Sequence, residues 1–190
     1  MTMITQTPRL VIRNWRPDDL DPFWRLNSDE TVMEFFPMRR NRTEAADIMA
    51  QLTEMIATTG YGFFALEQKS DSALVGFVGL ARTDLAPALP KGAVEVGWRL
   101  LPDYWGLGYA TESAQRMLRL GFEERGLSEI VSFAVEKNTR STAVMRRLGM
   151  TRAPDRDFDH PRVPDTHPHL KRHMLHAMTS DQWRTIRENR

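Results

Sequence analysis

The feature that most constrains the fold is a succession of five segments in the second half of the chain. Residues 93–101, rich in β-branched and aromatic types, predict a strand. A loop containing Gly106 and Gly108 leads from this strand into apolar residues that recur at helical spacing. A second strand is predicted over 129–135, and Asn138 opens a second helix. Such an alternation of strands and helices indicates an α/β fold.

The loop between the first strand and its helix is a candidate anion site. The first backbone N–H groups of a helix lack partners and the helix dipole is positive there, so the position favours a phosphate. Gly106 and Gly108 would let that phosphate approach the backbone closely. Two glycines can also serve only to make the turn, so both interpretations of the loop stay open.

The loop and the second helix together resemble the GNAT superfamily of N-acetyltransferases, specifically its RimJ/RimL-like branch. The family's pyrophosphate loop has the form Arg/Gln-x-x-Gly-x-Gly/Ala, and Gly108 and Ala110 match its last two fixed positions. Trp105 stands where Arg or Gln is usual, a substitution familiar in this branch. Residues 138–150 resemble the branch's Asn-x-x-Ser and Leu-Gly-Met signature, and the resemblance extends over most of the chain.

The resemblance implies one GNAT domain over residues 1–190. Its fold is a mixed, mostly antiparallel sheet of about seven strands flanked by helices, with a splay between the fourth and fifth strands. These two are the strands predicted over 93–101 and 129–135.

The activity implied by the resemblance is acetyl-CoA-dependent N-acetylation. The acetyl group would pass directly to a primary amine of a protein N-terminus or a small molecule. A non-catalytic acyl-CoA-binding or regulatory module on the same fold is the alternative. A phosphate or nucleotide binder unrelated to acylation is a third possibility.

The family binds acetyl-CoA largely through backbone groups. The pantetheine amides pair with the end of the fourth strand, and the pyrophosphate meets the N–H groups of the loop. The asparagine that opens the second helix also contacts the pantetheine arm, although it can serve only as a helix cap. The residues assigned to the cofactor by this resemblance are Trp98, Arg99, Leu100, Leu101, Trp105, Gly106, Leu107, Gly108, Tyr109, Ala110, Thr111, Asn138 and Ser141.

Glu95 is the candidate catalytic base. A protonated amine has no lone pair, so some group must accept its proton. The family commonly has a carboxylate on this strand that acts through water. Strand alternation places Glu95 and Gly97 on one side, with Val94 and Val96 on the other. An exposed strand glutamate without a catalytic role is the alternative.

Ser141 is the candidate proton donor for the leaving thiolate. Many relatives have a tyrosine seven positions after the asparagine, but this chain has Met145 there, which cannot donate a proton. The RimJ/RimL-like branch suggests Ser141, three residues after Asn138 and on the same helical face. A helix-start serine bonded to the backbone is the alternative.

The acceptor site is placed by the resemblance between the first two helices. Phe35 and Phe36, which precede a proline, are candidate substrate-binding residues, with core packing as the alternative. The basic residues at 39–42 are interpreted as a solvated loop because no aromatic stacking pattern is interleaved with them.

Composition narrows the classes of partner. The 26 Lys and Arg residues nearly balance 25 acidic ones, giving a net charge of +1, so no global field predicts nucleic acid or an acidic membrane as partner. The chain has no cysteine, which excludes disulfides, thiolate metal sites and a cysteine nucleophile. Its histidines lie near the C-terminus, but a strand there would separate them, and we expect no metal site.

The ends of the chain carry further expectations. Residues 1–6 begin like a vector-encoded segment, and we expect them to be a flexible or vector-derived leader. No apolar run has the length of a membrane span, which favours a cytoplasmic enzyme. A homodimer through the C-terminal strands is possible. The other predicted elements are strands over 9–13, 61–67, 73–82 and near 170–178, a helix over 44–59 capped by Thr43, and a final helix from Ser180.

Overall fold

A nine-stranded mixed sheet forms the centre of the structure, a computed structural model that describes residues 3–189. The strand order is β1-β2-β3-β4-β5-β6-β9-β7, and β8 pairs with β9 beside this path. Every pairing is antiparallel except β5 with β6, which is parallel. The strands are β1 (Met3–Gln6), β2 (Leu10–Arg13), β3 (Gly62–Gln68), β4 (Leu74–Arg82), β5 (Val94–Leu100), β6 (Glu129–Val135), β7 (Thr151–Arg152), β8 (Phe158–Asp159) and β9 (Arg172–Thr179).

Helices cover both faces of this sheet. Gly121, in the π-helical turn after α3, lies against Leu80 and Ile130 on one face. On the other face α1 reaches β5, where its Asn27 bonds to Arg99. The helices are α1 (Leu20–Ser28), α2 (Arg42–Thr59), α3 (Tyr109–Arg119), α4 (Thr139–Leu148) and α5 (Ser180–Glu188). The α/β fold with a mostly antiparallel sheet flanked by helices is therefore confirmed.

Helix caps explain where the helices begin and end. Asn41 caps α2 in a reciprocal capping box with Glu44, so the helix begins at Arg42, and the prediction of Thr43 as its cap is wrong. An asparagine side chain reaches the third N–H of the helix as well as a threonine does, and here it has the extended backbone that a cap needs. Asn138 caps α4 as predicted, by accepting a hydrogen bond from the backbone N–H of Ser141.

The N-terminal segment differs from the expected leader. Met3–Gln6 pairs with β2 as an edge strand, and Thr5 is only 7% exposed. The expectation of a flexible segment over 1–6 is wrong for residues 3–6, because β2 offers this segment an open sheet edge. Residues 1 and 2 lie outside the described residues.

The structure adds short strands that the sequence did not predict. β1 pairs at one end of the sheet, and the two-residue strands β7 and β8 pair with β9. The sheet therefore has nine strands instead of about seven. No helix within residues 3–189 is long and apolar enough to cross a membrane.

Candidate functional site

A gap between β5 and β6 organises the candidate site. Every residue of β5 has a partner in β4, and every residue of β6 has a partner in β9. Between β5 and β6, by contrast, Glu95 and Val131 form the one register pair within the described chain. Beyond this pair the strands separate toward their carboxyl ends. The predicted splay between these strands is present.

The peptide groups of β5 point alternately to β4 and into the gap. Thr83 donates its N–H to Ala93 O, and Leu101 donates to Val75 O at 2.9 Å, so the odd-numbered residues pair with β4. Trp98 and Leu100 therefore direct their N–H groups into the gap. The N–H groups of Arg99 and Leu101 point to β4 instead.

The start of α3 offers unpaired N–H groups at the mouth of the gap. The N–H groups of residues 108–111 donate no hydrogen bond to any residue in the range 3–189. Gly106 and Gly108 have φ values of +77° and +81°, which L side chains rarely adopt. A Cβ at Gly106 would meet no atom within 4 Å, and one at Gly108 would meet Arg9 Nη2 at 3.5 Å. The loop is open, as an anion site requires.

Arg9 adds a positive charge beside this loop. Its Nε donates to Glu112 Oε2 at 2.7 Å, and its guanidinium lies 4.5 Å from the centre of the Tyr109 ring. Burial raises the pKa of Glu112, but hydrogen bonds from Thr7 and Arg9 outweigh it and leave that pKa below its usual value. Glu112 thus remains ionised and holds Arg9 next to Gly108. Arg9 was not predicted, and its place in an N-terminal strand gave no indication of it.

Trp105 ties the loop to the end of β5. Its indole Nε1 donates to Leu100 O at 2.8 Å, where the family usually has an Arg or Gln side chain. The guanidinium of Arg140, in the first turn of α4, lies 4.4 Å from the Trp105 ring centre. Arg140 also pairs with Glu34 at 2.9 Å. Since β5 and β6 are parallel, α3 and α4, which follow them, begin at the same edge of the sheet. The contacts of Arg140 with Trp105 and Glu34 connect the starts of these two helices to residues 29–41.

Asn138 and Ser141 lie at the start of α4. Asn138 Oδ1 accepts the Ser141 N–H at 3.1 Å, so the capping role of Asn138 is real. The Ser141 hydroxyl is half-buried and forms no hydrogen bond with any other described residue. The alternative in which this hydroxyl is bonded to the backbone is therefore not what the structure shows. No hydrogen bond or ion pair in the described range links Ser141 to Glu95.

Glu95 lies at the point where the gap begins. Its side chain is half-buried, and within residues 3–189 it forms no hydrogen bond or close ion pair. Burial raises the pKa of Glu95 to about 7, opposed by the charge of Arg162. The expected alternation holds, since Val94 and Val96 are in the core while Gly97 faces the Phe63 ring on the opposite side. A carboxylate titrating near neutrality can take a proton from an amine.

Arg99 lies on the same side of β5 as Glu95. Its Nη1 donates to Asn27 Oδ1 at 2.7 Å, and its guanidinium lies 4.0 Å from the centre of the Phe36 ring. Of the two predicted substrate-binding residues, Phe36 is the one whose ring contacts Arg99. Phe36 is 37% exposed, and Phe35 is half-buried. The role of the Arg99 side chain was missed. A charged residue inside an apolar strand sequence could have indicated it.

The histidines do not form a metal cluster in the described part of the chain, where no three His, Asp or Glu side chains are grouped to share an ion. His160 and His173 instead pack on Phe133 and Phe158. Burial lowers the pKa of His160 to about 4, helped by the charges of His173 and Arg162.

Known proteins resemble this chain in sequence and in structure. A family profile described as an acetyltransferase (GNAT) domain matches residues 9–151. The FsC-acetyl coenzyme A-N(2)-transacetylase of Aspergillus fumigatus is 34% identical over 131 residues, which are 67% of this chain and 56% of that protein. The chain thus spans little more than half of that relative's length.

Solved structures match the fold over nearly the whole chain. The GNAT-family acetyltransferase from Bacillus anthracis is 23% identical with a TM-score of 0.77, covering 95% of this chain and 99% of that one. The microcin C7 self immunity acetyltransferase MccE, solved with acetyl-CoA and AMP, is 13% identical with a TM-score of 0.70, covering 90% and 93%. The family profile spans well over half of the sequence, and this chain belongs to the GNAT acetyltransferases.

Proposed function

We propose that this protein is an acetyl-CoA-dependent N-acetyltransferase that transfers the acetyl group directly to a primary amine. The observation that carries the proposal is the combination of an open gap between β5 and β6 with unpaired N–H groups at the start of α3. An extended thioester cofactor that ends in phosphates needs both features. The Asn138 to Met150 signature supports the RimJ/RimL-like branch.

The described residues fit acetyl-CoA along its length. The N–H groups of residues 108–111 would hold the pyrophosphate, with the Arg9 guanidinium beside them. The N–H groups of Trp98 and Leu100 would pair with the pantetheine arm, because they face the gap and are not used by β4. When bound, acetyl-CoA supplies the activated acetyl group as a thioester.

The protein's own part in the reaction is proton movement. Glu95 accepts the proton of the acceptor amine, through water, and its raised pKa makes it a base matched to neutral pH. Ser141 Oγ–H is unpaired in the described structure, and we assign it the proton for the departing sulfur. The absence of cysteine from the sequence agrees with direct transfer, since no thiol can carry the acetyl group.

Two measurements test the proposal. Isothermal titration calorimetry with CoA should show one site, and ATP should displace CoA weakly or not at all. Thiol release from acetyl-CoA should then depend on an added amine, as screened with a panel of amines. A regulatory module would be favoured instead by two results together. The protein would bind CoA without acetylating any amine, and the double variant E95A/S141A would keep the cellular effect of the wild type. Absence of CoA binding would reject both.

A further inference from the structure

We propose that the Arg99 side chain forms an anion subsite in the acceptor site, so that the acceptor is an amine that also carries a carboxylate. This inference rests on the acetyltransferase function proposed above. It concerns the face of β5 that bears Glu95 and Arg99, away from the backbone groups assigned to the cofactor.

The surroundings of Arg99 leave most of its donors available. Nη1 bonds to Asn27 Oδ1, and Asn27 itself is buried and donates its amide to Phe23 O at 2.7 Å. The guanidinium lies 4.0 Å from the centre of the Phe36 ring and 5.2 Å from that of Phe77. Aromatic rings that stack on the face of a guanidinium leave its N–H groups free to form hydrogen bonds, because those groups point outward in the guanidinium plane. The remaining N–H groups form no hydrogen bond with any residue of 3–189.

The charge of Arg99 has no counterion in the described chain. No carboxylate of residues 3–189 lies within ion-pair distance of it, and Glu95, on the same strand face, forms no ion pair with it. Burial lowers the pKa of Arg99 to about 10, so it remains protonated at neutral pH. Arg99 is only half-buried, so an anionic ligand can reach its free N–H groups, and a carboxylate there would neutralise a charge that no described residue pairs with.

Arg13 provides a comparison for Arg99, because it is a buried arginine whose charge is neutralised within the protein. It is 2% exposed, and its guanidinium meets Asp19 at 2.7 and 2.8 Å and Glu67 at 2.7 Å. Arg99 has one neutral amide oxygen in place of these two carboxylates. The contrast indicates that the counterion of Arg99 arrives with a ligand.

A carboxylate fits this position best. The guanidinium edge matches two carboxylate oxygens, and such charged hydrogen bonds are about twice as strong as neutral ones. Phe36 comes from residues 29–41, so the same segment that covers the guanidinium would also cover the bound acceptor. The acceptor amine would then lie on the strand face that bears both Arg99 and Glu95, on the Glu95 side of the guanidinium.

Matched pairs of acceptors test the inference. The 20 common free amino acids and their carboxamides are compared by thiol release, using wild-type protein and the variants R99Q and R99K. We expect wild type to prefer a free acid over its amide by about 10- to 100-fold in kcat/KM, the effect of a charged hydrogen bond. R99Q should reduce that preference to within about threefold and R99K should keep part of it, while the Kd for CoA changes by less than about threefold.

R39Q is the matched control, because Arg39 is an exposed arginine of the same segment that bonds to Phe36 O. It should keep the wild-type preference. Unchanged preference in R99Q, or better acetylation of amides or diamines than of acids, overturns the inference and leaves the acetyltransferase function standing.

A direct binding measurement covers the case in which no amine of the panel reacts. The Arg99 Nε–H NMR resonance, identified by its loss in R99Q, is followed during titration with the amino acids. A shift that saturates with an acid but not with its amide supports the subsite. The absence of a shift at about 10 mM amino acid, a concentration at which even weak ligands bind, overturns the proposed subsite. This holds whatever the result of the CoA titration.

Discussion

The position of Glu95 on β5 determines the pKa of its carboxyl group. The register pair with Val131 places it where the pairing of β5 with β6 ends, so its half-buried carboxylate gains no hydrogen-bond donor within the described chain. Burial raises its pKa to about 7, and the charge of Arg162 limits the rise. A carboxylate in this state exchanges a proton readily near pH 7.

Replacing the carboxyl group should remove the base without removing the fold. We expect E95Q to lower kcat by about 100-fold or more, because a glutamine cannot accept the amine proton. The rise of kcat/KM with pH near 7 in the wild type should disappear in the variant. Steady-state kinetics from pH 5.5 to 9 measure both effects. An E95Q enzyme with a wild-type pH profile would assign the proton to another group.

The same substitution should stabilise the protein at high pH. Below pH 4.5 the carboxyl is protonated in both the folded and unfolded states, so it contributes no difference there. Between 4.5 and about 7 the unfolded chain releases the proton while the folded protein retains it, so folding stability falls as pH rises. We expect E95Q to exceed wild type by about 2 to 3 kcal/mol at pH 8, and to equal it near pH 4. Urea unfolding at both pH values measures the difference, and equal stability at pH 8 would contradict the raised pKa.

Among the secondary-structure elements, the unit formed by β5, the glycine loop and α3 presents a set of unpaired N–H groups. The left-handed φ at Gly106 and Gly108 turns the chain so that the first N–H groups of α3 face open space. Trp105 fixes this loop to Leu100, and Arg140 links it to α4. A loop held in this way loses little conformational entropy on binding.

A methyl group at Gly108 should weaken CoA binding. Its φ of +81° costs an alanine about 1 kcal/mol or more, and the added Cβ lies next to the unpaired N–H groups. We expect G108A to raise the Kd for CoA by about 10-fold in calorimetry.

G126A is the matched control, since Gly126 has a φ of +64° and open space but lies at the far end of the α3 segment. It should lose comparable thermal stability and keep the wild-type Kd within about twofold. Equal loss of CoA affinity in both variants would show that stability, and not the loop, is responsible.

At the scale of the whole molecule, one continuous sheet carries both halves of the site. β1 to β5 form one antiparallel part and β6 to β9 the other, and they meet at the short pairing of Glu95 with Val131. Each strand beside the gap is fully paired on its other side, so the gap is bounded by two well-ordered strands. The site is therefore a consequence of how two well-ordered parts join.

Deleting residues 1–6 should destabilise the protein without affecting the site. Residues 3–6 form the edge strand β1, with Thr5 buried, and their removal leaves the contacts of Arg9 with Glu112 intact. We expect a fall in Tm of about 2 to 8 °C, corresponding to about 1 to 2 kcal/mol, with an unchanged Kd for CoA. Scanning calorimetry of the truncated and full chains measures it. An unchanged Tm would mean that the strand contributes nothing to stability.

Local interactions along the chain were enough to predict most helices and strands and the order in which they follow. Strand and helix periodicity, a helix cap and a glycine turn each depend on residues that are close in the sequence. For this reason the start of α3 after Gly108 and the cap of α4 by Asn138 could be predicted. The splay was predicted only through the family resemblance. β1 was missed because its pairing depends on β2 being free at its edge.

The electrostatics of the site, by contrast, depend on how the elements pack together. The raised pKa of Glu95 depends on what covers it, and the lack of a counterion at Arg99 depends on Asn27, Phe36 and Phe77, which are far apart in the sequence. A charge interacts with whatever surrounds it in space, and folding brings those groups together from separate elements. For this reason the chain's periodicity identified its strands and helices, whereas the environment of each charged side chain followed from their packing.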